Sequence, residues 1–190
     1  MKTNRQQSFI ATLELGTSHV NFLGQLHGTP ATRLDTHYSG GFFTGVSKRH
    51  NDSHLLGHRD RQEIVDPAPM TIYFRCTDDY YHLYIRSHVV YSGHCVSKDH
   101  AGFLGAFLPA GRDTTSFNLL SLDNQVITLR DLPRDTHRVR LQARNARPVG
   151  SILRRGAPYR YMGETDEKGI VFTLRILERN ASFLSDPDEV

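Results

Sequence analysis

Three groups of residues in this 190-residue chain have the types and spacing that chemistry needs. The first is Asp78-Asp79-Tyr80-Tyr81-His82-Leu83-Tyr84. Carboxylates accept hydrogen bonds from vicinal hydroxyls, and tyrosine faces pack against the C–H side of a sugar ring. Related stretches are Gly16-Thr17-Ser18-His19 and Arg134-Asp135-Thr136-His137, each ending in a histidine. Asp78, Asp79, Tyr80, Tyr81 and Tyr84, with Asp135 and His137, are therefore the candidate glycan contacts. The plain structural alternative is an Asp78-Asp79 turn with tyrosines packed inside.

The second group is basic. Residues 126–162 hold nine arginines against only Asp131 and Asp135, a net charge of +7. Arg138, Arg140 and Gln142 alternate with Val139 and Leu141, so a strand here has one apolar and one guanidinium face. The planar donor fork of arginine suits phosphate, sulfate and carboxylate. Arg138, Arg140, Arg144, Arg147, Arg154 and Arg155 are the candidate anion contacts. The alternative is a solvated face neutralised by acids from elsewhere in the fold.

The third group is histidine. His50, His54 and His58 stand four residues apart, a spacing that on a helix would put three imidazoles on one face for a metal. Asn51-Asp52-Ser53 and Gly57 favour turns over a helix, so the expectation is exposed loop histidines and no metal. The two cysteines, Cys76 and Cys95, read as free buried thiols, with one bridge open to them if their strands are adjacent. Motifs for a nucleophile elbow, a phosphate loop, a zincin or a Cys-x-x-Cys pair are missing from the sequence. The expectation is a binding protein rather than an enzyme, with no cofactor.

These groups sit on strands. Apolar residues alternate in Met70-Thr-Ile72-Tyr-Phe74, His82-Leu83-Tyr84-Ile85, Val139-Arg140-Leu141 and Phe172-Thr-Leu174-Arg-Ile176. Turn clusters separate them, among them Ser39-Gly40-Gly41 and Arg155-Gly156-Ala157-Pro158. An apolar share of 38% suits a packed globular domain, and no apolar run approaches the ~18 residues of a membrane span. Without an N-terminal signal pattern after Met1, the expected location is cytoplasmic, or outside by a route that reads no such signal.

Three marks recur in order: Phe43-Thr44-Gly45, Phe103-Leu104-Gly105 and Tyr161-Met162-Gly163. Apolar pairs precede each, Val20/Phe22, Leu83/Ile85 and Val139/Leu141, with Leu13/Leu15, Ile72/Phe74 and Ile127/Leu129 further upstream. The division this suggests is 8–60, 70–124 and 125–180, with a connector at 61–69 and an acidic tail at 181–190. In number, length and pattern the repeats, of about 55–60 residues, resemble a β-trefoil over residues 8–180. The resemblance implies one all-β domain, a short barrel capped by hairpins. A β-prism and a sandwich are the structural alternatives.

Many trefoils are lectins, and the resemblance implies a non-catalytic carbohydrate-binding module as the leading expectation. The chain has no tryptophan, so the Gln-x-Trp mark of ricin-type lectins is missing. Growth-factor trefoils hold sulfated glycans by basic surfaces, which the arginine-rich segment resembles in charge alone. Polyanion binding, of a sulfated glycan or nucleic acid, is the second expectation. A protein-interaction or enzyme-inhibitor module is the third.

Overall fold

The computed structural model describes residues 4–16, 18–35, 48–60, 67–110 and 114–182. The chain enters through a 3-10 turn, Arg5–Gln7, and then runs through β1 (Phe9–Leu15), β2 (Ser18–His19), β3 (Asn21–Phe22), α1 (Leu23–His27), β4 (Thr32–Asp35), β5 (Lys48–Asn51), β6 (Leu56–His58) and β7 (Thr71–Thr77). Next come β8 (Tyr80–Ile85), β9 (Cys95–Lys98), β10 (Leu104–Phe107) and β11 (Ser116–Leu120). The last stretch holds β12 (Val126–Ile127), β13 (Thr136–Ala143), β14 (Val149–Leu153), β15 (Arg160–Glu164) and β16 (Phe172–Arg179). As the alternation predicts, the protein is all-β; α1 is a single short helix.

Six strands close on themselves. β1 pairs with β7 and β16, β7 with β8, β8 with β11, β11 with β13, and β13 with β16, every pair antiparallel. Closure leaves none of the six as a free edge. Inward residues follow the period of two: Ile72, Phe74 and Cys76 on β7; Val139, Leu141 and Ala143 on β13; Phe172, Leu174 and Ile176 on β16. Phe9 and Phe74 stack at 4.6 Å, and Tyr81 meets Phe9 edge-on at 5.5 Å. The centre of the barrel leaves a void of only ≈ 10 Å³, too apolar and too small to hold a ligand.

This architecture corrects the expected β-trefoil. It is a closed six-stranded antiparallel barrel with additional strands, and the excursions from it are unequal in content. The excursion between β1 and β7 carries five strands and α1, whereas those between β8 and β11 and between β13 and β16 each carry one hairpin. The physical reason is pairing. Residues 71–77 pair with β1 on one side and with β8 on the other. Alternation locates a strand but carries no information on its neighbours.

The glycine marks are corrected in part. Phe43-Thr44-Gly45 lies outside the described residues. The motif that joins the other two is Leu55-Leu56-Gly57. Tyr161 pairs with Gly57, Leu55 with Gly105, and Phe103 with Gly163, so three segments lock in a cycle. A Cβ at Gly57 would lie 2.3 Å from the Arg160 carbonyl oxygen, one at Gly105 2.9 Å from that of His54, and one at Gly163 2.8 Å from that of Gly102. Each position needs glycine because a neighbouring backbone occupies the side-chain volume. Leu55, Phe103 and Tyr161 form a second apolar cluster with Leu23 and Ala31 beneath this junction.

Of the expected connector, 61–66 lie outside the described residues, as do 183–190 of the expected tail. No helix among the described residues is long and apolar enough to cross a membrane. Cys76 and Cys95 are both free and buried.

Candidate anion-binding face

β13 carries two outward-facing arginines. Its inner side chains anchor the barrel, which fixes Arg138, Arg140 and Gln142 on the outer face. Cα atoms two residues apart on a strand are about 6.8 Å apart, so Arg138 and Arg140 present their charges in a row. Arg138, opposite Thr173 of β16, is exposed and has no carboxylate partner among the described residues. Arg140 donates through Nη1 to the Leu122 carbonyl at 2.6 Å and to Asn124 Oδ1 at 3.3 Å. Both acceptors lie in the turn joining β11 and β12, where Asn124 adopts φ +63°. Asparagine tolerates that left-handed conformation better than most residues. Arg144 follows β13 directly; its guanidinium carbon lies 4.1 Å over the centroid of the Tyr80 ring.

The other arginines of the expected set are placed differently. Arg147 meets Asp166 at 2.9 Å. Arg154 lies 4.5 Å over the Phe103 ring and 4.0 Å from Asp52 Oδ2. Arg155 is exposed in the turn after β14, away from the β13 ladder in sequence and in sheet. The six candidates therefore split into two on β13 with a third directly after it, two that face carboxylates and one at a hairpin tip.

The candidate glycan contacts do not form one surface. Asp78 and Asp79 are a two-residue hairpin turn between paired Thr77 and Tyr80, with Asp78 at φ +55° and both residues exposed. Tyr80 points outward yet lies covered beneath Arg144 and edge-on to His82. Tyr81 points into the barrel, 1% exposed, where its hydroxyl accepts from the Leu129 N–H at 3.0 Å; burial pushes its ionisation up. Tyr84 is buried with Tyr73 and Cys95 on the opposite side of the sheet. Asp135, exposed, accepts from both Nε and Nη2 of Arg179 at 3.1 Å. His137 Nε2 is engaged with the Arg134 backbone at 2.8 Å.

The three histidines occupy strand and turn positions. His50, on β5, stands 3.7 Å from Asp35. His54 meets the Phe107 ring edge-on, and its burial lowers its basicity. His58, on β6, is held by Ser151 Oγ at 2.7 Å and the Arg59 carbonyl at 3.0 Å. Among the described residues no group of three or more His, Cys, Asp or Glu is placed to hold a metal.

Two arrangements have no signal in the sequence. Buried Asp52 accepts the Tyr161 hydroxyl at 2.7 Å and faces Arg33 Nε at 3.4 Å, which joins the first excursion to the third and draws Arg154 inward. The second is on the outer face. Asn118 of β11 pairs with Gln142, and Leu120 with Arg140, so Asn118 and Arg140 are diagonal neighbours beside the cation row. Asn118 Oδ1 and Arg140 Nε are both buried without a hydrogen-bond partner. Only strand register could have revealed either arrangement.

Comparison with protein-family models, with curated proteins and with solved structures finds no match.

Proposed function

We propose that this protein is a binding module for polyanions, and that the outer face of β13 and its end, Arg138, Arg140 and Arg144, is the binding surface. One observation carries the reading. These three guanidiniums meet no carboxylate among the described residues, whereas Arg33, Arg147, Arg154, Arg160, Arg175 and Arg179 each do. An extended row of un-neutralised cations attracts a ligand with repeated negative charge and steers its approach. Arg144 is held over a ring, so little side-chain entropy is lost when it engages an anion. Neutral-sugar recognition draws less support, because it relied on tyrosines that are buried: Tyr81 inside the barrel, Tyr80 beneath Arg144 and Tyr84 against Tyr73 and Cys95.

The test is binding to a heparin fragment across a range of salt. Three phosphate-like contacts give a slope of log K on log salt of about −2 to −3. Replacing all three arginines by glutamine is expected to lower affinity about a hundredfold and flatten that slope, with an unchanged unfolding midpoint. Retention of full affinity by the triple variant would rule out this surface.

A further inference from the structure

The unpaired atoms beside the cation row bear on what kind of polyanion fits it. Resting on the polyanion reading above, we infer that the ligand is a sulfated glycan, held through its sulfates by Arg138 and Arg144 and through a ring hydroxyl by Asn118 and Arg140.

Asn118 Oδ1 is an acceptor that lacks a donor, and the Arg140 Nε–H is a donor that lacks an acceptor. They occupy diagonal positions on one face of adjacent strands, where side chains start about 7–8 Å apart. A hydroxyl both donates and accepts, so a single sugar hydroxyl between them completes both. A phosphate chain offers acceptors only and leaves Asn118 Oδ1 unsatisfied. Both atoms are covered in the free protein. Binding therefore requires the Arg140 guanidinium to leave the Leu122 carbonyl and Asn124. The fork that results suits a ligand bearing sulfate and hydroxyl side by side.

Nucleic acid fits this face less well. Single strands are held by bases stacked on open aromatic rings. Tyr80, the ring beneath Arg144, is 3% exposed and already covered by that guanidinium. A ribose 2′-hydroxyl could fill the Asn118–Arg140 position, which makes RNA the competitor to measure.

The experiment is calorimetric titration of the full chain with a heparin octasaccharide, inorganic polyphosphate of equal charge and a short RNA. The wild-type protein is expected to bind heparin about tenfold more tightly than polyphosphate. Asn118→Leu is expected to lower heparin affinity about five- to tenfold and leave polyphosphate unchanged. Asn118→Ala, which cannot clash, is expected to repeat the result with an unchanged unfolding midpoint. RNA binding tighter than heparin overturns the inference, and so does a heparin preference that survives both Asn118 variants; the polyanion reading stands in either case. If Arg138→Gln with Arg144→Gln weakens neither heparin nor polyphosphate, the polyanion reading itself fails, and the inference with it.

Discussion

The guanidinium of Arg144 sits 4.1 Å over the ring of Tyr80, which joins the end of β13 to the start of β8 across β11. A residue expected to serve sugar binding and one expected to serve anion binding therefore form a single unit. The ring fixes the cation, and the cation denies the ring to any ligand.

Removing that platform should weaken anion binding without touching a charge. Tyr80→Leu is expected to reduce heparin affinity about two- to fivefold, the value of one partly exposed cation–π contact. Tyr80→Phe keeps the ring and is expected to bind as the wild type does. Titration calorimetry of the two variants side by side checks this.

The buried Asp52 junction predicts a graded loss of stability. Tyr161→Phe removes one hydrogen bond to a charged acceptor, at a cost of about 1.5–3 kcal/mol. Asp52→Ala leaves buried Arg33 without its closest buried acid and is expected to cost about 3–5 kcal/mol. Urea unfolding measures both. In the double variant the Tyr161 effect should largely vanish, since its partner has gone.

Gly57 is expected to be the least replaceable glycine of the cyclic junction. An added Cβ meets backbone oxygen at 2.3 Å, and backbone cannot swing aside as a side chain can. Gly57→Ala should reach or exceed the upper end of the ~1–3 kcal/mol typical of overpacking. Gly16→Ala has open space around its Cβ but φ +56°, so only conformational strain of about 1 kcal/mol is expected. Thermal unfolding ranks the two.

Stability should fall on both sides of neutrality. Burial lowers the basicity of His54, His82 and His88, so the unfolded chain takes up protons first as pH drops below an imidazole's ordinary 6.5. Stability is then present above that pH and is lost below it. On the alkaline side burial raises Cys76 and Cys95 from 9.0 to about 11, and Tyr81 and Tyr161 move up as well. The unfolded chain loses these protons first, so stability present below pH 9 declines from there towards pH 11. Urea unfolding at pH 5, 8 and 10.5 is expected to give its highest midpoint at pH 8. In native protein at pH 8 both thiols should resist a thiol reagent that labels them after unfolding.

The sequence by itself determined the strands. Period-two alternation over 72–76, 139–143 and 172–176 needs no partner to be read, because burial of one face is a property of a single strand. It also determined which side of β13 carries arginine, and that glycines 105 and 163 sit in equivalent local settings. Tertiary structure decided everything that depends on a neighbour. It set β7 against β1, replaced the expected trefoil with a closed six-stranded barrel and unequal excursions, and made Leu55-Leu56-Gly57 the third arm of the junction. It turned Tyr81 inward and put Arg144 over Tyr80. Local propensity acts along the chain, whereas neutralisation of a charge, shielding of a ring and exclusion of a Cβ are contacts between residues far apart in it. Asp52 shows the difference most clearly: in the sequence it is one member of a polar turn, and in the fold it is the acid that claims Arg33 and Tyr161.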